Sequence, residues 1–241
     1  MTRAAPRIDL FDVRPLDERE AALVRDLRIA EALLFGSALP VDPGTLAAHL
    51  GKDTDIPALM DVLAADYARR GVNVVRVAGG WMLRTAPDLA EVAGAGAPEL
   101  RKLSRAATEV LAIIAYHQPV TRAEIEEIRG VSTSKGTLDV LLETGWVRLR
   151  GRRRAPGRPV TYGTTPAFLV HFGLDAVHDL PGIEEMKGAG LLDPRVPSGF
   201  AIPLPSDDDR LRDDEEPLEP ELLDLILTPE PDAPDADEDA P

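Results

Sequence analysis

The chain has no cysteine, only 4% aromatic residues, and no apolar run long enough to cross a bilayer. Lack of cysteine removes disulfides, thiolate metal sites and cysteine nucleophiles together, and fits a reducing compartment. With so few aromatics, a core must be built from Leu, Val, Ile and Ala, which the 44% apolar fraction supplies, and a β-sandwich is disfavoured. Met1 to Leu16 has no apolar stretch of the kind that makes a secretion signal. For 241 residues the expectation is a soluble cytoplasmic protein of two small domains with tails.

A basic surplus is missing too. The net charge of −15 speaks against nucleic acid until the charges are located along the chain. Residues 206–241 hold 16 acids, among them Asp207, Asp208, Asp209 and Asp213, against Arg210 and Arg212, which is −14. The remaining 205 residues hold 26 acids and 25 bases, so the body stands at −1. Ten of the 22 prolines lie at or beyond Pro194, and such a tail buries too little apolar surface to offset its ordering entropy.

What is present is an internal repeat, visible in the turn residues. Pro40-Val41-Asp42 recurs as Pro119-Val120-Thr121, Leu46 as Ile125, Gly51 as Gly130, Thr85 as Thr164 and Pro87 as Pro166, each 79 positions further on. In the first copy Leu23, Leu27, Ala30 and Leu34 follow helical spacing, so a helix is predicted from about Arg19 to Phe35. Asp42 then reads as an N-cap, Pro43 as a first helical residue and Gly51 as a stop. Asp55 caps a third helix with Leu59, Met60, Leu63, Ala64 and Tyr67 on its apolar stripe. Val72 to Ala78 and Trp81 to Thr85 read as strands around a Gly79-Gly80 turn.

The second copy has the same order. Ser104 caps a helix to about Ala115, Thr121 with Glu124 forms a capping-box pattern, and Gly130 is a stop. A third helix falls within Lys135 to Thr144, strands within Trp146 to Arg150 and Val160 to Thr164, and a short helix over Pro166 to Phe172. The predicted class is α+β and predominantly helical: two tandem winged-helix domains, each three helices and a β-hairpin wing, with a disordered acidic C-terminal tail. The predicted divisions are a flexible segment 1–18, a first domain 19–93, a linker 94–103, a second domain 104–181 and a Pro-rich disordered tail 182–241.

The run from Leu111 through Tyr116, Pro119, Thr121, Arg122, Glu124, Ile125, Ile128 and Gly130 to Val131 resembles the bacterial segregation and condensation protein B family. Pro156-Gly157-Arg158-Pro159 and the stretch from Tyr162 to Leu174 carry a second match, and Glu31 to Phe35 with Leu83-Arg84-Thr85 a weaker one. The resemblance covers roughly Asp26 to Pro181; between Val131 and Leu138 the chain has one residue more than the pattern, and the acidic tail lies outside it. It implies a non-enzymatic, nucleoid-associated subunit of an SMC condensin-like complex. Such a subunit would form a homodimer through the first domain and bind the kleisin, segregation and condensation protein A, through the second.

The helix Arg105 to Ala115 is apolar around nearly its whole circumference, so what its own core does not use packs on the wing or meets another chain. The candidate partner-binding residues are Leu111, Ile114, Tyr116, Ile125 and Ile128. Six arginines from Arg148 to Arg158 lie in eleven residues without an acid. Arg152, Arg153 and Arg154 are candidates for contact with a phosphate backbone, weak and without sequence preference. In the alternative reading, wing arginines pin the turn or pair with Glu124, Glu126, Glu127 or the tail. The third helices each sum to −1 and lack base-reading side chains, so a DNA-binding transcriptional regulator is the second choice. His49, His117, His171 and His178 make no zinc pattern, and no catalytic constellation or cofactor motif is found. Leu218 to Leu227 is the one apolar interruption of the tail, either a docking motif or a transient helical turn.

Overall fold

The structure is a computed structural model and describes residues 17–94, 103–182, 185–186 and 210–219. The N-terminal segment, most of the predicted linker and the apolar knot beyond Glu219 lie outside the described residues.

Two helix-and-sheet units follow one another. The first consists of α1 (Glu18–Gly36), α2 (Pro43–His49), α3 (Ile56–Tyr67), β1 (Val72–Val77) and β2 (Gly80–Thr85), followed by a 3-10 turn and α4 (Ala90–Gly94). The second consists of α5 (Arg105–His117), β3 (Val120–Thr121), α6 (Arg122–Arg129), α7 (Lys135–Glu143), β4 (Val147–Arg153), β5 (Val160–Thr164) and α8 (Pro166–Phe172). Every α-helix start but that of α4 is set by a side chain that accepts an otherwise orphaned amide. Asp42 accepts from Thr45, Asp55 from Ala58 and Ser104 from Ala107. Thr121 and Glu124 form the predicted capping box, and Asp17 with Glu20 forms another on α1. Gly130 and Gly173 end α6 and α8 in the left-handed conformation that glycine adopts without strain.

Each unit has its own core. Leu27, Ala30, Leu34, Leu46, Leu59, Met60, Leu63 and Trp81 are buried in the first; Ala107, Val110, Leu111, Ile114, Ile125, Leu138, Leu141, Val147 and Phe168 are buried in the second. The repeat is therefore spatial, with Leu46 and Ile125 both fully buried. Its register slips by one in the leading helix: Leu27, Ala30 and Leu34 correspond to Ala107, Val110 and Ile114, 80 positions on. The connection between leading helix and next strand is thus one residue shorter in the second unit.

In both units the chain just ahead of the second helix crosses to the hairpin. Val41 bridges Trp81 with hydrogen bonds of 2.8 and 3.0 Å, and β3 pairs with β5. The first hairpin turn is displaced by one residue from expectation. Val77 pairs with Gly80, and the two turn residues are Ala78 and Gly79, with φ of 51° and 76°. Gly80 serves another purpose, because a Cβ there would stand 2.7 Å from the Val41 carbonyl oxygen. β4 is longer than predicted, reaching Arg153 through a register shift between Leu149 and Gly151.

The first hairpin docks on the second unit. The Ala78 amide donates to the Leu174 carbonyl at 2.9 Å, the Gly79 amide to the Asp175 carbonyl at 3.1 Å and to its carboxylate at 2.9 Å, and Arg84 to the Val170 carbonyl at 3.1 Å.

The expectation that 182–241 is disordered throughout is corrected for 210–219. Glu215 and Glu216 form β6, which pairs antiparallel with β4 at Arg153 and Arg152, giving the sheet order β3-β5-β4-β6. Backbone pairing and ion pairs to the arginines of the second hairpin offset an ordering cost that the segment's composition alone leaves unmet.

Candidate partner-binding surface

The five apolar candidates separate on burial. Leu111, Ile114 and Ile125 belong to the second core, and Ile114 and Ile125 have no exposed surface. Their assignment to a partner surface is corrected: α5 meets α6, α7 and β5 around most of its circumference, so self-packing absorbs its apolar surplus. Tyr116 is half-buried, and its hydroxyl donates to the Pro181 carbonyl at 2.8 Å. Burial and then the Glu185 carboxylate push that phenol above its ordinary range. Ile128 alone of the five is open, 47% exposed near the end of α6.

Further apolar residues of this unit are open. Val131 follows the α6 stop and Val140 lies on α7, both exposed. Between α5 and α7 runs a groove of about 480 Å³, lined by Leu103, Ala107, Gly136, Thr137, Val140 and Thr144 among others. The turn between α6 and α7 is held by buried Thr133. Its amide donates to Glu126 at 2.9 Å and its carbonyl accepts from Arg122. Glu126 sits below its ordinary carboxyl range because of the Thr133 amide first and Arg122 next.

In the first unit the open apolar residues include Phe35, 84% exposed at the end of α1, and Leu39, 70% exposed in the next turn, besides Val72, Leu89 and Val92. Phe35 and Leu39 stand beside a groove of about 360 Å³ lined by Ala32, Leu33, Gly36, Pro40, Val41 and Thr45. Sequence reading did not single these two out. The signal for Phe35 was its phase: it follows Leu34 by one position, about 100° around the helix from the core stripe.

The three arginine candidates also separate. Arg153 is largely enclosed: it donates to the Pro119 carbonyl at 3.0 Å, to Glu124 at 3.0 and 3.1 Å and to Asp214 at 2.8 Å. As a phosphate contact it is corrected, because its charge is spent fastening the second hairpin to α6 and to the 210–219 segment. Burial raises the Glu124 carboxyl, but the Thr121 amide and Arg153 outweigh it and leave it below its ordinary range. Arg152 is half-buried and donates to the Arg158 carbonyl at 2.9 Å; Arg154 is exposed.

Among the described residues no group of His, Cys, Asp or Glu is arranged to hold a metal ion, and no helix is long and apolar enough to cross a membrane.

The molecule is thus a duplicated helix-and-sheet protein whose open features include exposed apolar side chains on each unit and an arginine-rich hairpin. The family model described as "Segregation and condensation complex subunit ScpB" matches residues 28–183. Segregation and condensation protein B of Moorella thermoacetica is 49% identical over 169 residues, 68% of this chain and 86% of that protein. The protein of the same name from Symbiobacterium thermophilum is 44% identical over 176 residues, 71% of this chain and 80% of that one. The crystal structure of ScpB from Mycobacterium tuberculosis is 32% identical, covering 67% of this chain and 99% of that chain; its TM-score is 0.28, so the likeness is one of sequence. The chain belongs to the ScpB family and is a subunit of the segregation and condensation complex, acting in chromosome partition and condensation.

Proposed function

We propose that this chain is a non-enzymatic accessory subunit built from two winged-helix domains. It pairs with a second copy through the first and grips the kleisin, segregation and condensation protein A, through the second, and so joins an SMC complex in the cytoplasm at the nucleoid. The observation that carries this reading is that each unit leaves large apolar side chains exposed, among them Phe35 and Leu39 on the first and Ile128, Val131 and Val140 on the second. Exposed aliphatic and aromatic side chains at a groove are the anchors that protein interfaces use. The order of three helices and a hairpin supports the winged-helix assignment in both units, with an isolated bridge at Val41 in the first and the strand β3 in the second between the first two helices. Operator reading is unsupported, since α7 brings Asp139 and Glu143 where a reading helix would meet phosphates.

Co-expression with the kleisin and mass measurement of the purified complex tests the reading. Wild type is expected to give a complex containing two copies of this chain. Val140→Asp should lose the kleisin by tenfold or more while keeping the dimer, and Phe35→Asp should yield monomers that still fold. A monomeric wild type, or full kleisin retention by Val140→Asp together with Ile128→Glu, overturns it. Reversing Arg152 and Arg154 should change kleisin affinity by no more than a few fold.

A further inference from the structure

The shared family region ends near residue 183, yet 27 residues later the chain returns to its own wing. The contact has the anatomy of a peptide-recognition site. Along the outer edge of β4, β6 pairs in the register Arg152 to Glu216 and Arg153 to Glu215, and the Arg154 amide donates to the Asp214 carbonyl at 2.7 Å. Side chains are read as well. The Glu215 carboxylate is wholly buried and accepts from Thr161 Oγ1 at 2.7 Å, from Arg150 Nε at 3.3 Å and from its own segment's Arg212 amide at 3.0 Å. Arg150 is itself only 4% exposed and also donates to the Arg210 carbonyl. Asp214 meets Arg153 at 2.8 Å, Glu216 meets Arg158, and Arg212 donates to the Gln118 carbonyl at 3.1 Å.

Gly151 shows how closely the two backbones approach. A Cβ there would stand 2.8 Å from both the Glu216 carbonyl oxygen and Leu211 Cδ2. Glycine within a strand marks just such a close approach. In strand addition, main-chain pairing supplies affinity and side-chain pockets supply selectivity. Here the pocket is the Arg150–Thr161 slot, and it selects a glutamate.

We propose that the outer edge of β4 is a strand-addition site for an acidic extended peptide anchored by one buried glutamate, and that residues 210–219 are its resident ligand, held in cis. Covalent attachment makes this binding intramolecular and raises the ligand's effective concentration, so only an acidic segment of matching pattern enters when the resident strand lets go.

The test uses the full chain with its own ligand disabled by Glu215→Ala, and a fluorescent peptide with the sequence of residues 208–220 as probe. The peptide should bind this variant at least tenfold more tightly than a scrambled peptide of identical composition. Adding Gly151→Ala should reduce binding by tenfold or more with no change in charge. Equal binding of natural and scrambled peptides overturns the proposal, as does displacement of the natural peptide by duplex DNA at equal charge concentration; both would describe an unselective polyanion surface. Should Glu215→Ala fail to fold, hydrogen exchange in the wild-type chain and in Asp214→Ala/Glu216→Ala decides. The Arg154 amide should be protected in the first and at least tenfold faster in the second, and an Arg154 amide unprotected in wild type sinks the docked strand.

Discussion

The Arg76 guanidinium, on the first hairpin, stands 2.8 Å from the Asp175 carboxylate in the turn after α8. The same aspartate accepts from the Gly79 amide, so one carboxylate holds both a side chain and the tip of the hairpin. Arg76 also lies over the Trp81 ring, 5.3 Å from its centroid.

Asp175→Ala should therefore loosen the two units without unfolding either. The pair is partly solvated, so its loss is expected to cost less than about 1 kcal/mol in chemical denaturation. The inter-unit distance distribution, measured by fluorescence transfer between labels on α3 and α7, should broaden. An unchanged distribution would show that the Ala78–Leu174 and Arg84–Val170 hydrogen bonds suffice.

Leu46→Ala and Ile125→Ala delete equivalent, fully buried groups. Each should cost about 2–5 kcal/mol through lost transfer energy and the cavity left behind. Trp81 reports the first core and Trp146 packs against the second, so single-tryptophan chains can follow them separately. Leu46→Ala should lower the transition seen by Trp81, and Ile125→Ala the one seen by Trp146. A single shared transition displaced equally by either change would mean that the two units unfold as one.

The two glycines of the first hairpin are expected to respond unequally. Gly79→Ala places a methyl in open space but at φ 76°, costing about 1–2 kcal/mol of left-handed strain. Gly80→Ala drives a methyl onto the Val41 carbonyl and should cost more, with loss of amide protection at Val41 and Trp81. Equal destabilisation of the two variants would count against the Val41–Trp81 bridge.

The Trp146 ring lies 4.1 Å from the His171 imidazole. Burial first and the Arg84 charge second lower the pKa of His171 below its ordinary 6.5; burial does the same for His117. A depressed histidine favours the neutral folded form, so this contribution to stability is present above pH 6.5 and is lost as pH falls through the folded-state value. Trp146 emission should drop over that acidic interval as the imidazolium forms, and His171→Gln should remove the step. A midpoint above 6.5 would contradict the direction of the shift.

Much of the architecture was legible because local chemistry dictates it. Asp42, Asp55, Ser104 and Thr121 cap the helices that their positions foretell, since an unpaired amide at a helix start needs an acceptor wherever the helix lies. The Gly79-Gly80 reading missed by one residue because Gly80 is required by the Val41 backbone, a contact 39 positions away that no local rule contains. The partner surface was the least legible part. An apolar circumference on α5 has two physical explanations, and only packing against α6, α7 and β5 decided for the core. Conversely Phe35, hidden in a familiar run of helix residues, points outward.

By itself the sequence determined the duplication, the helix boundaries, the aliphatic cores and the family, because each depends on residue type and spacing along the chain. Tertiary structure alone decided which apolar residues stay open, how the first hairpin meets the second unit, and where the acidic residues near the C-terminus go. Those outcomes depend on partners distant in sequence: Glu215 finds Arg150 and Thr161 only after the second hairpin has formed the edge that its backbone joins.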